Sequence, residues 1–246
     1  MIGNKKLLAI VTARGGSKRL PGKNTLKLAG KPMIAWSIEA ALESKFIDKV
    51  LVTTEDEDIA NIAREFGAEV PFMRPNELAS DSASSIDAVI HAIQALKDLH
   101  SDSYEYIILL QPTSPLRTSQ HIDEAVGLLL DRNAEGIVSI CEADNLKMKA
   151  NPFPVGMDEN GKIYKKSDHS STNKRDLHSN GKEFDKEYRI NGAIYLCKTS
   201  VLIKELTFFH GTSYAYVMDP SESIDIDYDY DYKKCELIIN NRNSNT

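Results

Sequence analysis

The segment LLAIVTARGGSKRLPGKN, residues 7–24, gives the clearest indication of the fold class. It begins with an apolar run typical of a buried strand, and the turn that follows is rich in glycine and in basic side chains. Glycines let a backbone approach an anion closely, and lysine and arginine add charge-assisted hydrogen bonds. Because ligands of open α/β sheets bind at the carboxyl ends of strands, this turn is a candidate phosphate site. The alternative is a solvated basic surface loop.

Basic residues are concentrated around this turn. Eight of them precede the first acidic residue, Glu39, and six of the eight lie within residues 14–31. The whole chain has 30 basic and 36 acidic residues, so the part outside these eight has 22 basic against 36 acidic residues, a net charge of −14. A cationic loop on an acidic body indicates a local phosphate site. The overall net charge of −6 argues against sequence-independent binding to nucleic acid or to an anionic membrane, because that affinity comes from clustered cations.

The glycines of the turn match neither of the two common phosphate-binding motifs. The spacing Gly-x-x-x-x-Gly-Lys-Ser/Thr is absent, and so is Gly-x-Gly-x-x-Gly followed by an acidic residue for the ribose. The loop therefore predicts anion binding but does not specify the nucleotide.

Length and composition are typical of one soluble α/β domain spanning residues 1–246. The cysteines Cys141, Cys197 and Cys235 have apolar neighbours and no metal-ligand spacing, which favours reduced core thiols. No apolar run reaches the length of a membrane span, and the first is too short for a secretory signal. We therefore expect a cytoplasmic protein that binds neither membranes nor nucleic acid.

Apolar strand-like runs alternate with helix-period segments through about residue 140, the pattern of a mostly parallel sheet with helices on both faces. Strands are predicted at residues 7–11, 47–54, 69–73, 106–110, 137–141, 193–196 and 214–218. Helices are predicted to begin near Pro32, to lie between Thr54 and Gly67, to cover 84–99, to begin at Thr118 or Ser119, and to cover 200–206 and 230–240. Residues 165–186 are polar and lack this periodicity, so approximately 143–190 is predicted to be a surface excursion or a small subdomain.

Two polar segments follow predicted strands. RPNELASDSASS, residues 74–85, places an arginine and several hydroxyls just before a long helix. Helix capping accounts for Ser84, whereas Arg74 and the density of small polar residues suit hydrogen bonding to a base and a ribose. QPTSPLR, residues 111–117, places Gln111 at a strand tip, where an amide can bind a substrate or simply support the turn.

The segment SIDID, residues 223–227, carries two carboxylates. Asp225 and Asp227 alternate with isoleucines, so on an extended chain both project from the same face. Such a pair suits Mg²⁺ when a polyphosphate supplies further oxygens. The alternative is an acidic helix N-terminus, which fits Asp229 and Asp231 better. The histidines form no cluster with metal-ligand or triad spacing.

Together these segments resemble the acylneuraminate cytidylyltransferase family, which includes CMP-sialic acid synthetases and their legionaminate and pseudaminate relatives. The resemblance covers nearly the whole chain and rests on five motifs in order. These are ARGGSKRLPGKN (13–24), RPNELASDSASS (74–85), QPTSPLR (111–117), RINGAIY (189–195) and SIDID (223–227). It implies a Rossmann-like nucleotidyltransferase fold, CTP and a nonulosonic acid as substrates, Mg²⁺ as cofactor, and a homodimer whose protruding subdomain completes the partner's active site.

The resemblance also implies site residues. Those that bind the nucleotide would be Arg14, Gly16, Ser17, Lys18, Lys23, Asn24, Arg74, Ser80 and Ser85. Those that line the sugar-acid site would be Gln111, Arg189 and Tyr195, with Lys149 (or Lys147), Phe208 and Phe209 contributed to the partner chain's site. The catalytic set would be Arg14, Lys18, Lys23, Asp225 and Asp227, of which the two aspartates hold the metal.

The reaction implied is transfer of CMP from CTP to the anomeric hydroxyl of a nine-carbon 2-keto-3-deoxy sugar acid of the N-acetylneuraminate type. Alternatives are legionaminate, pseudaminate or an eight-carbon acid as acceptor, and, in a different class, a non-catalytic nucleotide-binding module. Two features depart from the family pattern: Arg19 stands where glycine is common, and a longer polar stretch, residues 178–186, precedes Arg189. The role of Arg19 stays open at this point.

Overall fold

A mixed β-sheet forms the centre of the fold. The structure is a computed structural model that describes residues 2, 4–80, 82–143, 154–165 and 187–244. Within these ranges the strands are β1 (Leu7–Thr12), β2 (Lys27–Leu28), β3 (Lys31–Pro32), β4 (Lys49–Thr53), β5 (Tyr106–Leu109), β6 (Gly136–Glu142), β7 (Pro154–Met157), β8 (Ile163–Lys165), β9 (Tyr188–Lys198) and β10 (Ser213–Val217). The α-helices are α1 (Met33–Leu42), α2 (Glu57–Glu65), α3 (Ser85–His100), α4 (Ser119–Asp131), α5 (Thr199–Glu205) and α6 (Asp229–Ser244).

Strand β1 is buried on both faces, because its apolar residues supply two separate cores. Leu7, Ala9 and Val11 pack into one core together with α1, α2 and α4. Leu8 and Ile10 pack into a second core, against α3. Each large side chain fully buried in this way contributes about 1.5–3 kcal/mol. The predicted sheet with helices on both faces is confirmed.

Strand β9 runs against its neighbours. The order across the sheet is β10-β6-β9-β5-β1-β4, with β1, β4 and β5 parallel, β6 and β10 parallel, and β9 antiparallel to both β5 and β6. As a result the first residues of β9 lie at the carboxyl ends of the parallel strands, where Arg189 pairs with Cys141 of β6. Because β9 runs in this direction, the RINGAIY motif begins at the same edge of the sheet as the basic loop that follows β1.

The acidic segment is anchored by its isoleucines. Ile224 and Ile226 are buried in a third apolar cluster, which includes Cys235 and Ile239 of α6. Helix α6 therefore holds the segment in place, and the intervening aspartates face away from this cluster. The structure thus shows the alternation predicted for SIDID, with both isoleucines in the apolar cluster and both aspartates at the cleft.

One predicted strand is wrong. Residues 69–73 form only a single parallel bridge, between Glu69 and Leu51. Pro71 follows two residues later and has no N–H with which to continue the ladder. The structure describes only part of the subdomain predicted at approximately 143–190. The described residues are 143, 154–165 and 187–190, and they include the β7–β8 hairpin. Lys147 and Lys149 lie outside the described residues.

A search of the described residues for an apolar helix long enough to cross a membrane finds none.

Candidate active site

The carboxyl edge of the sheet holds a cleft of about 340 Å³, a size that suits a small ligand. Segments far apart in the chain meet in it. Its lining residues are Thr12, Arg14, Lys23, Asn24, Arg74, Leu78, Ser80, Ala83, Ser84, Ser85, Ala88, Gln111, Pro112, Thr113, Asp225 and Asp227. The structure thus brings together the basic loop, the segment 74–85, the tip of β5 and the carboxylate pair.

Arg14 and Lys23 bring two cations of the basic loop to the cleft. Asn24 is buried, and its Nδ2 donates a 2.9 Å hydrogen bond to the carbonyl oxygen of Arg14, which closes the loop on itself. The Lys23 ammonium donates to the carbonyl oxygen of Ile226 at 3.2 Å. The loop is therefore tied directly to the acidic segment on the other side of the cleft.

Three predicted phosphate ligands lie on the outer part of this loop. Gly16, Ser17 and Lys18 are not among the cleft-lining residues, and both Gly16 and Lys18 are exposed. The backbone N–H of Ser17 donates to the carbonyl oxygen of Gly15 at 3.0 Å, which forms a tight turn. Their predicted contact with a triphosphate remains a prediction.

The serine-rich segment presents hydroxyls to the same cleft. Ser84 is the N-cap of α3, because its Oγ accepts a 3.1 Å hydrogen bond from the backbone N–H of Ile86. Capping therefore accounts for Ser84, as predicted. Ser85 and Ser80 also line the cleft, beside the buried Arg74.

Glu55 joins the two cationic segments and was missed from the sequence. Its Oε1 accepts a 2.8 Å hydrogen bond from the backbone N–H of Gly15, and its Oε2 accepts a 2.6 Å bond from Nη2 of Arg74. The same Nη2 donates to the carbonyl oxygen of Ala13 at 2.9 Å. Thr54-Glu55-Asp56 follows β4 and resembles an ordinary acidic helix N-terminus, so only its position after a parallel strand could have pointed to the site.

Asp225 and Asp227 both line the cleft, but they differ in their partners. Burial raises the pKa of the Asp225 carboxyl above its ordinary value, a side-chain hydrogen bond with Thr113 opposes that shift, and the charge of Asp227 adds to it. Oδ1 of Asp225 finds no hydrogen-bond partner within the described part of the chain. Asp227 is paired: Nζ of Lys23 lies 3.4 Å from Oδ1, and Nη1 of Arg19 lies 2.7 Å from Oδ2. Arg19 is thus placed against the predicted metal site.

A third aspartate, Asp231, fixes the conformation of this segment. Asp231 is buried, and its Oδ2 accepts hydrogen bonds from the backbone N–H groups of Asp227 at 3.2 Å and Tyr228 at 3.1 Å. It lies in the first turn of α6, where a carboxylate is also favoured by the helix dipole. The sequence placed Asp231 at a helix N-terminus but did not reveal that it orients Asp227.

The carboxylate pair fits a divalent cation. A buried carboxylate oxygen without a protein partner is costly, and a cation would satisfy it. Mg²⁺ typically uses one or two carboxylates and completes its shell with water and substrate phosphates. Because the described residues contain no group of three or more potential His, Cys, Asp or Glu ligands, a metal here would depend on such further oxygens.

Gln111 is positioned by buried contacts at the tip of β5. Its side chain packs over Gly192, where a Cβ would lie 2.6 Å from Oε1 of Gln111 and where φ is +81°. The buried Arg117 donates from Nη1 to the carbonyl oxygens of Gln111 at 3.3 Å and Ala193 at 3.1 Å. Burial lowers the pKa of Arg117 to about 9. Arg117 and Gly192 therefore set the geometry where the tip of β5 meets the middle of β9.

The other predicted sugar-acid residues lie outside the cleft lining. Arg189 is half-buried and donates from Nη2 to the carbonyl oxygen of Ser223 at 2.9 Å, next to the carboxylate pair. The Tyr195 ring packs against Phe208, with centroids 5.7 Å apart, and burial raises the pKa of its hydroxyl. Phe208 is buried in the core beside α3, whereas Phe209 is half-buried. Phe208 thus has little surface left for a partner chain.

Cations, hydroxyls and a carboxylate pair lie around one cleft at the carboxyl edge of an α/β sheet, an arrangement that suits a nucleotide and its phosphates. The solved structure of a CMP:2-keto-3-deoxy-manno-octonic acid synthetase complexed with CTP has the same fold, with a TM-score of 0.74 at 19% identity, covering 96% of this chain and 99% of that one. The chain belongs to the cytidylyltransferase family, whose model matches residues 8–238. The family resemblance inferred from the five motifs is confirmed.

Relatives with named activities share much of this sequence. The N-acylneuraminate cytidylyltransferase of Escherichia coli O18:K1:H7 is 38% identical over 221 residues, which is 89% of this chain but 49% of the relative. The chain therefore spans about half the length of that relative. The CMP-N,N'-diacetyllegionaminic acid synthase of Legionella pneumophila is 33% identical over 89% of this chain and 90% of its own length. The pseudaminic acid cytidylyltransferase of Campylobacter jejuni is 30% identical over 87% of each chain.

Proposed function

We propose that this protein transfers CMP from CTP to the anomeric hydroxyl of a nine-carbon 2-keto-3-deoxy sugar acid of the N-acetylneuraminate type and releases pyrophosphate. The observation that carries the proposal is the single cleft in which the basic loop, the segment 74–85 and the carboxylate pair meet. The names of the relatives support it, since each activates an acid of this kind.

In the proposed reaction the sugar's 2-hydroxyl attacks the α-phosphorus of CTP in line. A phosphorus–oxygen bond to the sugar forms while the bond to pyrophosphate breaks, so the protein mainly positions the reactants and neutralises charge. Arg14 and Lys23, on the loop side of the cleft, would stabilise charge on the departing pyrophosphate. Arg74, Ser80 and Ser85 would hold the cytidine at the other side. Asp225 or Asp227 would take up the hydroxyl proton.

Mg²⁺ is the cofactor we propose, held by Asp225 and Asp227. When bound, it supplies further charge neutralisation for the triphosphate oxygens. The test is binding of Mn²⁺ as a paramagnetic probe, measured in the presence of CTP and without acceptor. We expect Asp227→Ala to keep its fold and to lose the tight Mn²⁺ site. Unchanged Mn²⁺ binding would remove the assignment of the metal to this pair.

The acceptor's carboxylate would be bound by Arg189, with Gln111 reading neighbouring polar groups. The support is that Arg189 donates to the carbonyl oxygen of Ser223, at the start of the acidic segment, so its guanidinium lies close to the carboxylate pair. Arg189→Ala is expected to raise KM for the sugar acid much more than KM for CTP.

Legionaminate is the second candidate acceptor, because the Legionella relative matches this chain over 90% of its own length. Pyrophosphate release from CTP, measured with a panel of acceptors, distinguishes the alternatives. Release with N-acetylneuraminate above all supports the main proposal, and preference for legionaminate or pseudaminate moves the substrate within the nine-carbon group. Release only with an eight-carbon acid contradicts the proposal. Absence of release with every acid tested also contradicts it, and would indicate a non-catalytic nucleotide-binding module.

A homodimer and a cytoplasmic location complete the proposal. The dimer is supported by the family resemblance, and light scattering coupled to size-exclusion chromatography tests it. The location is supported by the three cysteines, which are free thiols buried in the fold, as in proteins of reducing compartments.

A further inference from the structure

Glu55 contacts both cationic segments of the cleft through one carboxylate. Its partners lie 40 and 19 residues away along the sequence: the backbone N–H of Gly15, at 2.8 Å, and Nη2 of Arg74, at 2.6 Å. The carboxylate itself is not among the cleft-lining groups. It therefore acts on the cleft through its contacts with Gly15 and Arg74.

Arg74 depends on this contact. Its side chain is only 4% exposed, and that of Glu55 is 14% exposed, so the ion pair is shielded from water. A buried guanidinium left without its carboxylate is strongly unfavourable. The backbone N–H of Arg74 also donates to the carbonyl oxygen of Thr54 at 2.8 Å. Both the backbone and the side chain of Arg74 are thus fixed to the residues that follow β4.

Gly15 is fixed by the same carboxylate. Because its N–H donates to Glu55, that group is not free to bind a phosphate. The loop therefore presents the Arg14 side chain to the cleft while its next amide is turned toward β4. One carboxylate sets the position of the triphosphate loop relative to the arginine at the nucleoside end.

The negative charge of Glu55 would by itself oppose the binding of a polyanion in the cleft. A negative charge close to a site for a polyanion repels the ligand, so Coulomb's law alone predicts tighter binding once Glu55 is neutralised. Without Glu55, moreover, Arg74 would be drawn toward the triphosphate and away from the nucleoside. A contribution of Glu55 to binding must therefore come from geometry.

We propose that Glu55 is a positioning residue that holds Arg74 at the nucleoside end of the cleft and so determines affinity for the cytidine part of CTP. The proposal rests on the proposed function, because it takes the cleft to bind CTP. Loss of the Glu55 carboxylate should therefore weaken nucleoside binding but not binding of the phosphate chain. A general distortion of the loop would instead weaken both.

The test uses the full chain and three probes: CTP, CMP and inorganic tripolyphosphate, each titrated by calorimetry without acceptor. For Glu55→Gln we expect CMP affinity to fall about tenfold or more, the value of a hydrogen bond to a charged group. Tripolyphosphate affinity should stay the same or increase. Glu57→Gln is the matched control, since Glu57 is an exposed glutamate two residues further on and should leave all three affinities unchanged.

Glu55→Asp keeps the charge but is shorter, so it should recover part of the CMP affinity; it also serves if Glu55→Gln does not fold. Equal losses for CMP and tripolyphosphate, or no loss in either variant, would overturn the role of Glu55. Failure of the proposed function has a different signature: the unmodified protein would bind neither CTP nor CMP, or would bind them without releasing pyrophosphate with any nine-carbon acid.

Discussion

Replacing Gly15 by alanine tests whether the basic loop is built around a close backbone approach. A Cβ at this position would lie 2.3 Å from Oδ2 of Asp56 and 3.1 Å from its Cγ, well inside van der Waals contact. The Asp56 side chain must therefore move. Its other oxygen, Oδ1, accepts the 3.0 Å hydrogen bond from the backbone N–H of Ile59 that caps α2. The added methyl group thus acts on a helix cap.

Loss of such a cap costs about 0.5–2 kcal/mol. Alanine also restricts the unfolded chain, which returns about 0.4–1 kcal/mol. Displacement of Gly15 would further weaken its N–H bond to Glu55, and a hydrogen bond to a charged group contributes about 1.5–3 kcal/mol. We expect a net loss of about 1–3 kcal/mol in the free energy of unfolding. For a chain of this size each kcal/mol lowers Tm by about 2–4 °C.

Gly16 provides the matched control, because a Cβ there meets no atom of the described residues within 4 Å. Gly16→Ala should leave Tm unchanged or raise it slightly through the restricted unfolded chain. Differential scanning calorimetry of both variants gives the comparison. Equal Tm values for Gly15→Ala and Gly16→Ala would refute the close approach at Gly15.

Three further predictions concern charged and titrating groups. Asp225→Asn should lower kcat by about 100-fold or more while CTP still binds, because a proposed metal ligand and candidate proton acceptor is lost; a kcat within threefold would contradict this role. Arg19→Ala removes a pair that is 58% exposed on the arginine side, so it should lower the half-saturating Mg²⁺ concentration by about two- to fivefold, with little change in Tm. Burial, and secondarily the charge of Arg74, lowers the pKa of His91 below 6.5. The unfolded state therefore binds more protons than the folded state, and the free energy of unfolding falls as the pH drops below that value. Urea denaturation at several pH values should show a smaller fall for His91→Phe than for the unmodified protein.

The parts of the fold that were predicted correctly are those encoded in local patterns. The apolar run at residues 7–11 predicted a strand with two buried faces, and the alternation around Asp225 and Asp227 predicted which side they occupy. The direction of β9 could not be predicted in this way. Its residues are buried on both faces like those of a parallel strand, and only the pairing with β5 and β6 shows that it runs the other way.

Sequence patterns predicted the cleft residues that stand in recognisable runs, and missed the contacts that depend on long-range pairing. Glu55 stands in the sequence like any acidic residue before a helix, yet its carboxylate joins two segments of the cleft. Arg19 lies in the basic loop but pairs with Asp227, more than 200 residues away. Such partners are determined by tertiary packing, which no local spacing encodes.

Phosphorus-31 NMR of the purified protein with CTP, Mg²⁺ and N-acetylneuraminate tests the transfer of CMP most directly. We expect the β-phosphorus signal of CTP to disappear while one phosphodiester signal and pyrophosphate form in equal amounts. The same sample with Asp227→Ala should show CTP only. Unchanged CTP with the unmodified protein and each of the nine-carbon acids, or hydrolysis to free CMP without a phosphodiester, would contradict the proposed transfer.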